Sequence, residues 1–162
     1  MAVDMFLKME GVEGESTDDK HKGEIDILSF SWGESQPATS GAGGGGGAGK
    51  VSMQDFHFMT YLTKASVKLF LGCASGQHFP AATLSVRKAG GEKGGSEFLH
   101  WTLSDVMVTS YQTGGSGGED RPVDSFSLNF AKVEISYKEQ KADGSLGTEY
   151  RAGWDLGKNV KI

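Results

Sequence analysis

The segment from Tyr111 to Tyr137, YQTGGSGGEDRPVDSFSLNFAKVEISY, decides the fold because it joins the two longest strand-like stretches of the chain through one polar, glycine-rich turn. After the turn, apolar and polar residues alternate, which predicts a strand with one buried face. The apolar positions of that strand are Phe126, Leu128 and Phe130. The segment therefore predicts a long β-hairpin.

The alternation changes phase in both arms of this hairpin. After Ala131 the apolar residues move from even to odd positions, and in the preceding arm the same kind of change occurs around Asp105. A slip of one residue turns every later side chain to the opposite face of a sheet. We therefore predict either a bulge near Ala131 or a strand that crosses from one packing layer to another. Two such strands suit a strongly coiled sheet, as in a small barrel or an orthogonal sandwich.

Most of the remaining chain has the period-two pattern of strands. Further strand patterns occupy residues 1–9, 24–33, 51–59, 82–88, 97–113 and 149–160. The stretch from Thr63 to Ser75 instead has helical spacing, with Thr63 as a plausible N-cap and Gly76 as a C-terminal stop. The sequence thus predicts one mainly β domain over residues 1–162 with a single flanking helix.

The predicted helix carries two apolar stripes, although a surface helix needs only one. The first stripe consists of Ala65, Leu69, Phe70 and Cys73, and the second of Val67, Leu71 and Ala74. We expect both stripes to be buried within the domain. The alternative is that the second stripe faces another copy of the chain, which makes Val67 and Leu71 candidate subunit contacts.

Composition and charge exclude several classes of function. The chain has 162 residues, a net charge of -5 and one cysteine, Cys73, which excludes an internal disulfide framework and is expected to be a buried structural thiol. There is no basic stripe for nucleic acid, no transmembrane stretch and no signal-peptide core. Nine of the acids lie in residues 1–34, against three bases. We expect a solvated acidic loop there, or alternatively one polar end of a particle that assembles head to tail.

Glycine-rich segments explain the apparent enzyme motifs. GGGGAGK at 44–50 approaches a phosphate-binding loop but lacks the hydroxyl residue and a following helix. GGSGG at 114–118 matches a nucleophile elbow around Ser116, but a strand follows where that motif needs a helix. GGSGGED approaches a calcium-binding repeat, but only one copy is present. The histidines form no metal-ligand spacing. We predict no catalytic residue, metal or cofactor.

The low-complexity loop at 36–50 is expected to be mobile in an isolated subunit. Seven of the nine residues from Gly41 to Gly49 are glycine. Ordering each of them costs about 1–2 kcal/mol of backbone entropy, with no side-chain burial to offset it. Gly45 and Gly46 are therefore candidates for contacts in which another molecule packs on their backbone.

Several separate segments together resemble the haemolysin-coregulated protein (Hcp) family of bacterial type VI secretion. They are, in chain order, AVDMFLKMEGVEGES at 2–16, EIDILSFSWG at 24–33, GGGGGAGKVSMQDFHF at 43–58, VRKAGG at 86–91, TGGSGGEDR at 113–121, SLNFAKVEISY at 127–137 and QKADG at 140–144. The resemblance spans nearly the entire chain. It implies a small β-barrel of two curved antiparallel sheets with one flanking helix, which assembles into a homohexameric ring.

The resemblance also implies partners and a route of export. Rings of this family stack into an inner tube, which a contractile sheath drives outward behind a spike protein, and the ring lumen carries or stabilises effector proteins. Assembly in the bacterial cytoplasm and export through the machine itself would account for the missing signal peptide. Membrane insertion and nucleic acid are not part of this expectation.

Specific residues are expected to serve this assembly. Ser29 and Ser31 are small polar residues on an otherwise apolar strand, which suits the wet inner wall of a ring. Glu119 and Asp120 form the acidic tip of the long hairpin predicted at 111–137 and are candidates for contacts between subunits or rings. The alternatives are a β-barrel module that binds cargo without forming a tube and, least favoured, a hydrolase using Ser116.

Overall fold

The structure is a computed structural model that describes residues 2–38, 49–88 and 96–162. Gly45, Gly46 and most of the predicted mobile loop lie outside the described residues, as does the turn at 90–95. The helix is α1, Lys64–Ser75. The strands are β1 Val3–Met9, β2 Ile25–Asp26, β3 Ser29–Ser31, β4 Glu34–Ser35, β5 Ser52–Met53, β6 Phe56–Tyr61, β7 His78–Lys88, β8 Glu97–Gly114, β9 Val123–Asn129, β10 Lys132–Gln140, β11 Leu146–Asp155 and β12 Val160–Lys161.

Strand β8 organises the main sheet, which is antiparallel throughout. Along one edge β8 pairs with β7, which leads on to β1 and β2. Along the other edge it pairs first with β10, which leads to β11 and β12, and then with β9, which leads to β6 and β3. Strands β4 and β5 form a separate pair. The predicted mainly β, antiparallel fold with one helix is confirmed.

The ladders of the described residues do not close into a barrel. Of the three branches from β8, those that begin with β7 and β9 end at β2 and β3, which are neighbours in the chain but do not pair with each other. Between them, Ile27 donates its backbone N–H to Met5 at 2.9 Å and Leu28 donates to Met59 at 2.8 Å. Thr60 of β6 also donates its hydroxyl to the carbonyl of Asp26 at 2.6 Å. Isolated hydrogen bonds rather than a ladder therefore hold this corner, and a branched, curved sheet replaces the predicted small barrel.

The long predicted hairpin, formed by β8 on one side and by β9 and β10 on the other, has no bulge at Ala131. We call it the central hairpin. Ser104 pairs with Lys132 and Met107 pairs with Asn129, so the register is the same on both sides of the break between β9 and β10. Register is kept because the facing arm also turns there, at Asp105, whose φ is 51°. Beyond the break the outer neighbour changes from β6 to β11. The predicted bulge near Ala131 is therefore wrong, since the register shift lies elsewhere, between Val108 and Ser110. The strand that crosses between packing layers stays a prediction, with which the change of outer neighbour agrees.

The helix begins and ends as its sequence predicts. The Thr63 hydroxyl accepts from the N–H of Ala65, the Ser66 hydroxyl accepts from the N–H of Thr63, and Gly76 takes a left-handed conformation with φ 67°. Gly72 lies against the ring of Phe79, where a β-carbon would come within 3.1 Å of two ring atoms. A larger residue at 72 would therefore push the helix away from the sheet.

Only one side of the helix is buried. Ala65, Ser66, Leu69 and Gly72 face the core, whereas Phe70 of the first stripe is 60% exposed. In the second stripe Val67 is 68% exposed and Leu71 is 53% exposed. The expectation that both stripes are buried is wrong. The side of the helix that packs on the sheet is instead the side that carries the small residues Ser66 and Gly72, which let the helix approach closely. Cys73 is half-buried rather than buried.

Candidate assembly surfaces

A face of small polar side chains covers β3, β6, β9 and the end of β8. In one cross-strand row Ser29 lies beside Met59, Ser125 and Gln112, and in the next Ser31 lies beside His57, Ser127 and Ser110. We call these eight residues the polar face. All of them except Ser127 line a shallow depression of about 370 Å³. Met59, which is 43% exposed, is the one apolar member, and none of the eight is lysine, arginine, aspartate or glutamate.

Hydroxyl hydrogen bonds fix the centre of the polar face. Ser127 is buried, and its hydroxyl lies 2.5 Å from that of Ser110 and 2.8 Å from that of Thr109. Thr109 in turn donates to the carboxylate of Asp55 at 2.8 Å. Ser29 and Ser31 are exposed at the margin of this face, since β3 pairs only with β6. The structure thus places both predicted lumen residues on one continuous surface.

A second surface is the exposed apolar side of α1. We call Val67, Phe70 and Leu71 the helix patch. The Phe70 ring lies edge-on to Tyr111 of β8, with ring centroids 6.5 Å apart. Three exposed apolar side chains on one helix face are more than an isolated domain normally leaves in water. The two predicted contact residues Val67 and Leu71 therefore belong to a patch, and Phe70, which the sequence placed in the core, joins them.

The helix patch rests on a buried polar anchor. The Ser66 hydroxyl donates to Asp124 Oδ2, and the Tyr111 hydroxyl donates to the same oxygen at 3.2 Å. Asp124 is fully buried, and its other carboxylate oxygen has no partner among the described residues. Burial and the negative charge of Asp124 raise the pKa of Tyr111 above its ordinary value of 10.0. The anchor ties the first turn of α1 to both arms of the central hairpin.

The tip of the central hairpin is exposed. Glu119 and Asp120 lie at its end, and the Glu119 N–H donates to the Ser116 carbonyl at 3.1 Å, which shows an ordinary turn at the motif that imitates a nucleophile elbow. Arg121 stacks on the ring of Tyr61, with its guanidinium carbon 4.0 Å from the ring centroid. The base of the tip therefore packs against β6, and the two carboxylates of the tip are exposed to solvent.

A second apolar surface is not predicted by the sequence. The core face of the sheet runs from Val86 through Leu99 to Tyr137 and Tyr150, and exposure rises along that row from 3% at Val86 to 43% at Tyr137 and 64% at Tyr150. Strands β10 and β11 thus extend the core face of the sheet beyond the part on which other residues pack. We call Ile135, Tyr137, Tyr150 and Ala152 the overhang patch. The alternation of Tyr150, Ala152 and Trp154 is the signal in the sequence that could have revealed it.

The described residues contain no group of three or more histidine, cysteine or acidic side chains that could hold a metal ion. In the same part of the chain, no helix has the length and apolar character that crossing a membrane requires. The surfaces that the structure does offer are one uncharged polar face and two apolar patches. They define a β-sheet domain with exposed surfaces of the kind that contact other proteins.

Comparison with known proteins identifies the family. Residues 6–137 match the model of the family described as type VI secretion system effector, Hcp. The chain is 51% identical to the protein hcp1 of Pseudomonas aeruginosa strain PAO1 over 162 residues, which covers 99% of both chains. The chain therefore belongs to the Hcp family and is a secreted component of the type VI secretion tube.

Solved structures agree with this assignment. A structure described as a type six secretion system protein matches with a TM-score of 0.91 at 35% identity, covering 99% of this chain and 100% of the other. The crystal structure of Hcp1 from Salmonella typhimurium matches with a TM-score of 0.83 at 40% identity, covering 100% of both chains. The resemblance predicted from the sequence segments is confirmed.

Proposed function

We propose that six copies of this chain close into a ring through contacts between the helix patch of one subunit and the overhang patch of the next. The observation that carries the proposal is the position of the two patches at opposite ends of β8. Tyr111, under the helix patch, and Leu99, beside Tyr137, are separated by about 40 Å of strand at roughly 3.3 Å per residue. Different surfaces at opposite ends of a subunit make head-to-tail contacts, which form a ring when the rotation closes.

Stacking of such rings into a tube needs further surfaces on the two rims. Glu119 and Asp120 at the exposed hairpin tip, and Gly45 and Gly46 in the glycine-rich loop, remain our candidates for these contacts. The spike protein and the contractile sheath are the proposed partners of the finished tube. We propose that the tube assembles in the bacterial cytoplasm and leaves through the secretion machine without a signal peptide.

The polar face is the proposed inner wall of the ring. Seven of its eight side chains can form hydrogen bonds and none is lysine, arginine, aspartate or glutamate, so that a protein cargo can lie against it without a large cost of desolvating charges. Ser29 and Ser31 stand at its margin and are the proposed contacts for effector proteins. A role in assembly and cargo binding, rather than catalysis, is therefore the one we propose for this shallow surface.

Light scattering of the purified protein tests the ring. Multi-angle light scattering should give six times the mass of the 17.2 kDa chain. A monomer in dilute and concentrated solution alike would contradict the ring and leave the alternative, a module that binds cargo through the polar face without forming a tube. The alternative predicts that copurification of effectors persists in variants that remain monomeric.

A further inference from the structure

A buried ionic cluster fastens the segment at 13–24 to the sheet. This segment covers the face of β1, β7 and β8 that is turned away from the core, where Phe6 and Arg87 point outward from their strands. At its centre His21 is only 6% exposed, and its ring stacks on that of Phe6 with centroids 4.4 Å apart. Beside it Arg87 is bound by the carboxylates of Asp18 and Asp4. The segment is thus held by side chains that are far apart in the sequence.

Both ring nitrogens of His21 face carboxylate oxygens. Nδ1 lies 2.7 Å from Glu24 Oε2, and Nε2 forms a hydrogen bond with Glu97 Oε1. An ionised carboxylate can only accept hydrogen bonds, so each of these contacts requires a proton on the histidine nitrogen. A neutral imidazole has one N–H and would set a lone pair against the second carboxylate. The geometry therefore calls for the doubly protonated, cationic ring.

The charges around His21 favour the same state. Glu24 and Glu97 contact the His21 ring, and His100 contacts Glu97. Arg87 of β7 is bound by Asp4 of β1 and Asp18 of the segment, and Asp26 of β2 is the cross-strand partner of Phe6, on which the ring stacks. The cluster thus contains five carboxylates and one arginine, and His100 Nε2 lies 3.1 Å from Glu97 Oε2. An excess of negative charge stabilises a cation placed within it. Burial raises the pKa of Glu97, but the hydrogen bonds from His21 and His100 outweigh it and hold that pKa below its ordinary value.

We propose that His21 is a proton-dependent latch, which as an imidazolium ion fastens the segment at 13–24 to the start of β8. When it loses a proton it loosens the segment, whose attachment then depends on the ion pair between Arg87 and Asp18. Deprotonation turns one of its two hydrogen bonds into a contact between a nitrogen lone pair and a carboxylate. The latch reaches the start of α1, since the Lys64 N–H donates to Glu15 at 2.8 Å and the Lys64 ammonium lies 3.2 Å from Glu13. Opening it therefore loosens the helix that carries the helix patch.

Nitrogen NMR and hydrogen exchange test the latch on the full-length protein in its native assembly. At about pH 6 both ring nitrogens of His21 should give the signals of protonated nitrogen. The amides of Gly14, Ser16, Gly23 and Glu24 donate to backbone carbonyls within this segment or beside it. After correction for intrinsic exchange, their protection should fall at least about tenfold between about pH 6 and about pH 9, while amides in the middle of β8 keep theirs.

Two variants complete the test. In His21→Gln the protection of the four amides should be low at both pH values. His78→Gln is the matched control, because His78 also pairs with a carboxylate, at 2.9 Å from Asp105, but is exposed and lies outside the segment. It should behave as the unsubstituted protein does. A singly protonated His21 ring at about pH 6, or a pH dependence that persists in His21→Gln, would overturn the proposal, and the nitrogen signals decide it even if that variant does not fold.

Discussion

Phe70 of the helix lies edge-on to Tyr111 of the central hairpin, with ring centroids 6.5 Å apart, although Phe70 itself is mostly exposed. The pair marks the place where the buried part of the helix ends and the helix patch begins. Tyr111 is held from below by Asp124, so the patch stands on a rigid base. A rigid apolar surface loses little entropy when it binds, which suits a contact that must form repeatedly in a ring.

Val67→Glu should separate the subunits without unfolding them. A charge in the middle of the helix patch would be buried unpaired in the proposed contact, which costs far more than it does in water. In the isolated subunit Val67 is exposed, so the free energy of unfolding should change by only about 0.5 kcal/mol. Light scattering and circular dichroism measure the two quantities. Lys68→Glu, one position along the helix, is the control and should leave the particle mass unchanged; dissociation by both variants alike would argue against a specific patch.

Leu69→Ala should destabilise the subunit fold itself. Leu69 is fully buried on the side of the helix that faces the core, and removing such a side chain costs about 2–5 kcal/mol. Leu71→Ala, two residues on, removes an exposed side chain of the same kind and should cost under about 1 kcal/mol in a monomeric background. Urea unfolding in the Val67→Glu background compares them. Equal losses in the free energy of unfolding would show that a different side of the helix packs on the sheet.

The anchor beneath the helix patch should appear in the alkaline pH dependence of stability. The pKa of Tyr111 is raised by burial and by Asp124, so its neutral form contributes stability that is full below the ordinary value of 10.0 and is lost as the pH rises further. Tyr111→Phe should cost about 1 kcal/mol near neutral pH, through the lost hydrogen bond. The difference from the unsubstituted protein should shrink above about pH 10. Tyr150→Phe, at an exposed tyrosine, should show no such convergence in urea titrations.

Ser31→Trp should leave the ring intact and abolish copurification of effector proteins. The indole would cover neighbouring parts of the polar face, where His57 is the cross-strand partner of Ser31. Ser35→Trp places the same bulk on an exposed serine of the separate β4–β5 pair and serves as the control. Light scattering reports the ring, and mass spectrometry of copurified proteins reports the cargo. Unchanged cargo in Ser31→Trp would remove Ser31 from the proposed inner wall.

The sequence predicts the local structure of this chain well. The caps at Thr63 and Gly76 and the change of phase at Asp105 and Ala131 are all found where the residue pattern places them, because each depends on near neighbours in the chain. The same holds for the alternation that puts Phe126, Leu128 and Phe130 in the core.

Features that depend on distant segments could not be predicted in the same way. The side of α1 that is buried depends on the contact between Gly72 and Phe79. The overhang patch depends on how far β10 and β11 extend past the residues that cover the core face of the sheet. The latch joins His21 to Glu97, 76 positions apart, so the dispersed histidines gave no local spacing to detect. The grouping of Ser31, His57 and Ser110 likewise requires the register of four strands.

Negative-stain electron microscopy of the purified protein tests the central claim most directly, because it shows the assembly without an assay of activity. We predict ring-shaped particles with sixfold symmetry and an open centre, which are lost in Val67→Glu and kept in Lys68→Glu. Fields of single compact particles of monomer size at every protein concentration would contradict the claim that this chain is a ring-forming subunit.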